Sequence, residues 1–263
     1  MALGHAPHGL IRRRCPGGVI DYGLAIVNSG AVGSTEDKAT RSYRSNRREE
    51  GARRTRRRIL EAAGSAFVAG GYAGATIRAI AAEAGVSVPT VELLFGTKTR
   101  LLKAAIDVAI AGDDEAVPML DRSWTSAATA ATSAGELLAI VARTVGGAQA
   151  RSAGLVLAAF EGSAKDPELA ELTEQMIQQR AITAGWIVDA LAGKADLREE
   201  LTRQDAVDSM WLLMEPAVFD RLVRHRHWTV DRYQNWFAQT AQRLLVADIP
   251  ASGSRPDRRR RPT

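Results

Sequence analysis

Residues 55–102, TRRRILEAAGSAFVAGGYAGATIRAIAAEAGVSVPTVELLFGTKTRLL, decide the fold. A first amphipathic run carries Ile59, Ala63, Phe67 and Gly70 at near-helical spacing, and Gly70, Gly71 and Gly74 break it. A second run from Thr76 sets Ile77, Ile80, Ala81 and Ala84 on one face, at i, i+3, i+4 and i+7. Gly85 then supplies the residue best suited to the left-handed conformation past a helix end. Ser87 is a good N-cap for a third short helix bearing Val88, Val91 and Phe95. Pro89 fits there because first-turn amides have no intrahelical partner. Two short helices joined at Ala84-Gly85-Val86-Ser87 read as a helix-turn-helix, whose second helix is built to enter a major groove.

The ordered pieces Arg58-Ile59-Leu60-Glu61-Ala62-Ala63, Phe67 with Gly70-Gly71-Tyr72, and Thr76 with Ile80-Ala81 are followed by the turn, Thr90-Val91, Phe95-Gly96-Thr97-Lys98 and Leu101-Leu102. In order and spacing this resembles the DNA-binding domain of the tetracycline-repressor-like (TetR) family of bacterial transcription regulators. The resemblance implies an all-α fold of about nine helices. An N-terminal three-helix helix-turn-helix domain precedes a C-terminal helical domain for ligand binding and dimerisation, whose last two long helices pair across a homodimer.

It also places Thr76 and Lys98 where the family clamps the DNA backbone, a role that helix N-termini and cations suit. Arg54, Arg58 and Arg78 are further candidates for phosphate contacts. Ser87, Val88, Pro89, Thr90 and Leu93 would face the groove, where Thr90 suits a phosphate or a base edge and Val88 or Pro89 a thymine methyl. Val86, Val91 and Phe95 are assigned to the core. The chain departs from the family pattern at Glu92, where an aromatic is usual, and at Leu94, where Tyr or His is usual. Glu92 either accepts a hydrogen bond from a cytosine N4 amine or pairs with an arginine such as Arg100. Pairing is favoured because surface pairs need less exact reach.

The charge distribution agrees with a polyanion partner at this end. Residues 53–103 hold nine basic and three acidic side chains, whereas 104–247 hold thirteen basic and twenty acidic ones. The whole chain of 263 residues carries +5. Its 46% hydrophobic and 25% charged content is that of an ordinary globular protein with a sizeable core. No run of eighteen apolar residues occurs, so no membrane partner is expected. The single cysteine, Cys15, excludes an intrachain disulfide framework and fits a reducing, cytoplasmic setting.

Outward from the motif, residues 1–52 read as a disordered or mis-annotated leader. Its Arg12-Arg13-Arg14 and apolar residues mimic a signal peptide, but Pro16, Asp21 and Gly23 interrupt it. Ser34 to Glu50 reads as linker, 53–103 as the DNA-binding domain, 104–247 as the helical body, and 248–263 as a disordered basic tail. Within the body, a fourth helix runs from Thr97 to the acidic Asp113-Asp114-Glu115. Residues 136–146 and 151–164 suggest two apolar helices parted near Gly146-Gly147. Asp166-Pro167-Glu168 opens a helix ending near Gly193. Val207, Met210, Trp211, Met214 and Val218 share a face that Pro216 kinks or restarts, and a last helix begins around Thr229.

Phe160, Met176, Trp186, Trp211, Met214 and Phe219 are the candidate lining of an effector cavity among the body helices, for a small and largely apolar molecule. Core packing is the competing reading of each. Met210, Trp211, Trp236, Phe237, Thr240 and Leu244 are candidates for the dimer interface, with the monomer core as the alternative. No cofactor, metal site or catalytic residue is expected: no phosphate loop or nucleophile elbow occurs. His225 and His227, two apart, cannot share a metal as an i, i+4 pair would. The expectation is therefore a ligand-responsive regulator, most simply a repressor, binding double-stranded DNA as a homodimer at a near-palindromic operator. A dimeric adaptor that has lost DNA binding and an enzyme on a helical scaffold are the rivals.

Overall fold

Ten α-helices and no strand make up the described part of the chain. The computed structural model describes residues 35–113, 115 and 117–247, with 35–47 as backbone only. The expected leader up to residue 34, with Cys15, and the basic tail from 248 lie outside the described residues. The helices are α1 (Thr35–Gly74), α2 (Ile77–Glu83), α3 (Val88–Phe95), α4 (Lys98–Ala111) and α5 (Ser123–Ala130). They continue as α6 (Ala134–Ser163), α7 (Pro167–Ala192), α8 (Arg203–Leu213), α9 (Pro216–Phe219) and α10 (Val230–Leu245). A 3₁₀ turn at Met119–Asp121 precedes α5, and a π-turn at Asp220–His225 follows α9.

The local chemistry of the motif folds as its residues dictate. Thr76 caps α2, accepting from the Ala79 amide at 3.1 Å, and Ser87 caps α3, accepting from Thr90 at 3.3 Å. Between them Gly85 takes φ +63°. Its amide bonds Ala82 O and the next amide, Val86, bonds Ala81 O at 2.9 Å, the paired closure of a Schellman turn. That turn fixes the angle at which α3 leaves α2.

Two parts of the sequence reading need correction. Residues 35–52, taken as leader and linker, are helical and continuous with the rest of α1. Their polarity argues against burial, not against a helix, since Arg, Glu, Lys and Ala are all good helix formers. The two apolar helices expected on either side of Gly146-Gly147 are one helix, α6, thirty residues long. A Cβ at 146 would fall 2.6 Å from Gln234 Cγ of α10, so glycine there lets α10 press close and the lost helix propensity is offset by packing. Elsewhere the restart at Pro216 and the caps at Asp166 and Thr229 lie where the sequence puts them.

α6 is the spine, packing against α1, α4, α5, α7, α9 and α10. One core holds Ile59, Phe67, Ile80, Val91, Phe95, Leu101 and Leu102 of the head, closed by Leu155, Val156 and Ala159 of α6 and Leu169 and Leu172 of α7. A second core gathers Leu137, Leu138, Ile187, Leu191, Met210, Phe219, Tyr233 and Phe237. The head is therefore not a free module: its core is completed by the body.

Candidate nucleic-acid interface and effector cavity

α3 is held by its buried Val91 and Phe95, which turns its other face outward. On that face Leu93 is 86% exposed, beside exposed Pro89, Glu92 and Leu94. A leucine so exposed on a two-turn helix has no packing role within the protomer. Val88 and Thr90 are half-buried, and Thr90 Oγ1 lies 2.8 Å from Ser87 Oγ. Arg54, Arg58, Thr76 and Arg78 are exposed, and the Arg58 guanidinium sits beside the Gly85 turn. Arg56, not singled out from the sequence, stacks over the Phe95 ring at 4.7 Å, a cation–π contact that ties α1 to α3.

Lys98 is placed differently from the phosphate clamp expected of it. Its Nζ donates to Tyr72 O at 2.9 Å and Ala75 O at 3.3 Å and lies 4.1 Å from the Tyr72 ring centroid. The ammonium thus closes the end of α1 and has little left to offer a phosphate. Arg100 does not pair with Glu92; it donates to Glu168 at 3.3 Å, where Thr97 also donates at 2.9 Å. Glu92 has no ion-pair partner among the described residues. The favoured pairing is corrected, because Glu168 at the start of α7 offers Arg100 a partner no local spacing reveals.

A second link joins head to body. The Tyr72 hydroxyl donates to Asp166 Oδ2 at 2.7 Å and lies 2.7 Å from Thr99 Oγ1. That bond holds the Asp166 carboxyl below its ordinary range, while burial first of all raises the Tyr72 hydroxyl. Because the folded carboxyl titrates below the unfolded one, its contribution is present above the unfolded value and lost as pH falls through the lowered one. Tyr72→Phe should lower the unfolding temperature most near neutrality, with the gap to wild type closing in acid. A gap constant with pH would show that Asp166 gains nothing from the bond.

Residues 59–105 match the model of the family described as bacterial regulatory proteins, tetR family. Over this segment the chain is similar to the TetR family. The fold as a whole agrees. FadR from Bacillus subtilis, solved with stearoyl-CoA, superposes with a TM-score of 0.55 at 18% identity, covering 70% of this chain and 96% of that one. A transcriptional regulator from Saccharomonospora viridis, solved with choline, gives 0.55 at 18%, covering 73% and 98%. A structure described as a TetR-family regulator from Rhodococcus sp. gives 0.54 at 16%, covering 73% and 98%. At such identities the likeness is one of fold. No curated protein matches the chain.

The six candidate effector residues do not come together. Phe160 and Met176 pack on the head core, whereas Trp186, Trp211, Met214 and Phe219 belong to the body core. Phe219 meets Tyr233 edge-on at 4.8 Å, and Trp211 lies under Arg180, which pairs with Glu215. The cavity found, about 270 Å³, lies instead between α4, α5 and α6. Ile110, Ala111, Met119 and Trp124 form its apolar wall, and Arg122, Arg143 and Arg151 its polar one. Trp186 stands one ring behind, edge-on to Trp124 at 5.1 Å. The signal in the sequence was Arg143, Gly147 and Arg151 at i, i+4 and i+8, one stripe of a helix.

Of the expected interface residues, Met210 and Phe237 are 0% exposed within the protomer and have no surface to give a partner. Trp211, Trp236 and Thr240 are half-buried; Leu244 is 46% exposed, and Leu212, not anticipated, 58%. α8 and α10 pack on one another. Among the described residues no helix is long and apolar enough to cross a membrane, and no group of three or more His, Cys, Asp or Glu is arranged to hold a metal.

Proposed function

We propose that the chain is a cytoplasmic, homodimeric transcription repressor that inserts α3 into the major groove of a near-palindromic operator and releases DNA when a small molecule occupies the body. The observation that carries this is Leu93, 86% exposed on a capped helix whose opposite face anchors it. In a groove its side chain meets thymine methyls. Exposed Arg54, Arg58 and Arg78 are the phosphate contacts, and the half-exposed stripe of α8 and α10, with Leu212 and Leu244, is the dimer face. Stearoyl-CoA in one structural neighbour and choline in another support an effector site in the body.

The test is enrichment of duplexes from a random pool by wild type and by Leu93→Glu. Wild type should enrich a consensus and the variant none, with both equally folded, since the side chain is exposed. Enrichment of one consensus by both would remove Leu93 from the interface.

Unpaired Glu92 favours a second reading, that of an adaptor without specific DNA binding, and Glu92→Gln addresses it. Beside phosphate the carboxylate repels, so the amide should raise affinity for every sequence. If Glu92 instead reads a cytosine N4 amine, the amide should lose about 1–3 kcal/mol of preference at one C·G pair per half-site. No change in either quantity, with weak binding throughout, is the result the adaptor reading requires.

A further inference from the structure

The cavity between α4, α5 and α6 has a chemistry of its own. Arg122 is committed, donating to both Asp113 oxygens at 2.7 and 2.9 Å, and it holds that carboxyl down to about 2. The other two arginines are not so occupied. Arg143 is exposed and forms no ion pair among the described residues. Arg151 bonds only neutral carbonyls, Ala109 O at 2.8 Å through Nε and Ile110 O at 3.1 Å through one terminal nitrogen. A guanidinium has five N–H donors, so Arg151 keeps donors in reserve. Gly112, at φ +86°, lies so close that a Cβ there would fall 3.1 Å from the guanidinium. Among the described residues no carboxylate lines the cavity, Asp113 being near enough to feel Arg151 but bonded to Arg122, while Ile110, Met119 and Trp124 give it an apolar wall.

We propose that this cavity binds a small anion with an apolar body, a carboxylate or phosphate ester whose head takes Arg143 and Arg151 and whose tail lies on Trp124. This rests on the reading of the body as an effector domain and names the class of effector. The pairing is charge-assisted and suits the planar fork of arginine. It also has a mechanical consequence. Arg151 caps the carbonyl end of α4, whose other end carries the Lys98 contact to the end of α1 and the Arg100 contact to Glu168 of α7. An anion that takes the remaining donors of Arg151 draws the guanidinium toward the cavity and away from those carbonyls, which loosens the last turn of α4 and so frees the head from one geometry.

Calorimetry on the full chain with octanoate, octyl phosphate and the neutral octanamide tests the site. One or both anions should bind at least about tenfold more tightly than the amide, as charged hydrogen bonds imply. The better of them identifies the head group. Arg143→Gln, at an exposed side chain with no internal partner, should remove that advantage and leave octanamide unchanged. Arg151→Gln should also remove that advantage, and hydrogen exchange at 109–112 should quicken when the anion binds wild type. Equal binding of acid and amide, or an Arg143→Gln variant that binds anions as wild type does, would overturn the site. Unchanged exchange in the anion complex would overturn its link to α4. All of these are read without DNA, so failure to enrich an operator would count against the regulator reading alone.

Discussion

Replacing Leu212 and Leu244 together by Glu should leave a folded protein that no longer dimerises and binds its operator about a thousandfold or more weakly. Both side chains are exposed within the protomer, at 58% and 46%, so the substitutions remove no contact on which the protomer depends. Two carboxylates per protomer, brought opposite their own copies by a two-fold axis, repel one another and must be desolvated to associate. A single head keeps only half of the contacts, and the gap between specific and non-specific binding is typically about 10³-fold or more. Sedimentation would report the mass and fluorescence anisotropy the affinity. Trp236→Glu is the poorer choice, because Trp236 packs on Tyr233 at 5.7 Å and on Trp228 at 6.1 Å, and its loss would disturb the fold itself. A variant that stays dimeric would place the interface elsewhere on the surface.

The second large effect is that of salt. Arg54, Arg58 and Arg78 are exposed on the head, so a dimer would bring about six cations to phosphates. Counterion release then gives a slope of log affinity against log salt near about −5, and a loss of about a thousandfold between 50 and 200 mM. Arg58→Ala should make the slope shallower by about 2, one phosphate per half-site, and weaken all sequences alike. Lys98→Ala should leave the slope unchanged, because Lys98 Nζ is bonded to Tyr72 O and Ala75 O. Its effect should appear in the unfolding temperature. A slope that flattened with Lys98→Ala would restore Lys98 as a phosphate contact.

Those two lysine and arginine roles show where the sequence could be read and where not. Caps, the Gly85 turn and the buried stripe of α2 and α3 depend on residues within five positions of one another, and spacing alone reveals them. Lys98, Arg100 and Tyr72 find their partners in chain segments up to 94 residues away, and no local pattern announces such pairs. The body was legible as helices but not as a site. Phe160, Met176, Trp186 and Phe219 have the right chemistry for a cavity and serve as packing. The cavity wall includes three arginines, which apolar periodicity does not seek out. α5 was missed because its eight residues, SWTSAATA, carry too short an apolar stripe for periodicity to show. Met210 and Phe237 were taken for interface residues because a period identifies a buried face without saying what buries it.

Selection of duplexes from a random pool by the full wild-type chain, with the stoichiometry of the enriched complexes measured by sedimentation, tests the central reading most directly. The expected result is an inverted repeat, its half-sites centred about 34–36 Å apart or a multiple of one helical turn, holding two protomers in each dimer it engages. Enrichment of no sequence at low salt, or of a single unpaired half-site occupied by one protomer, would contradict it.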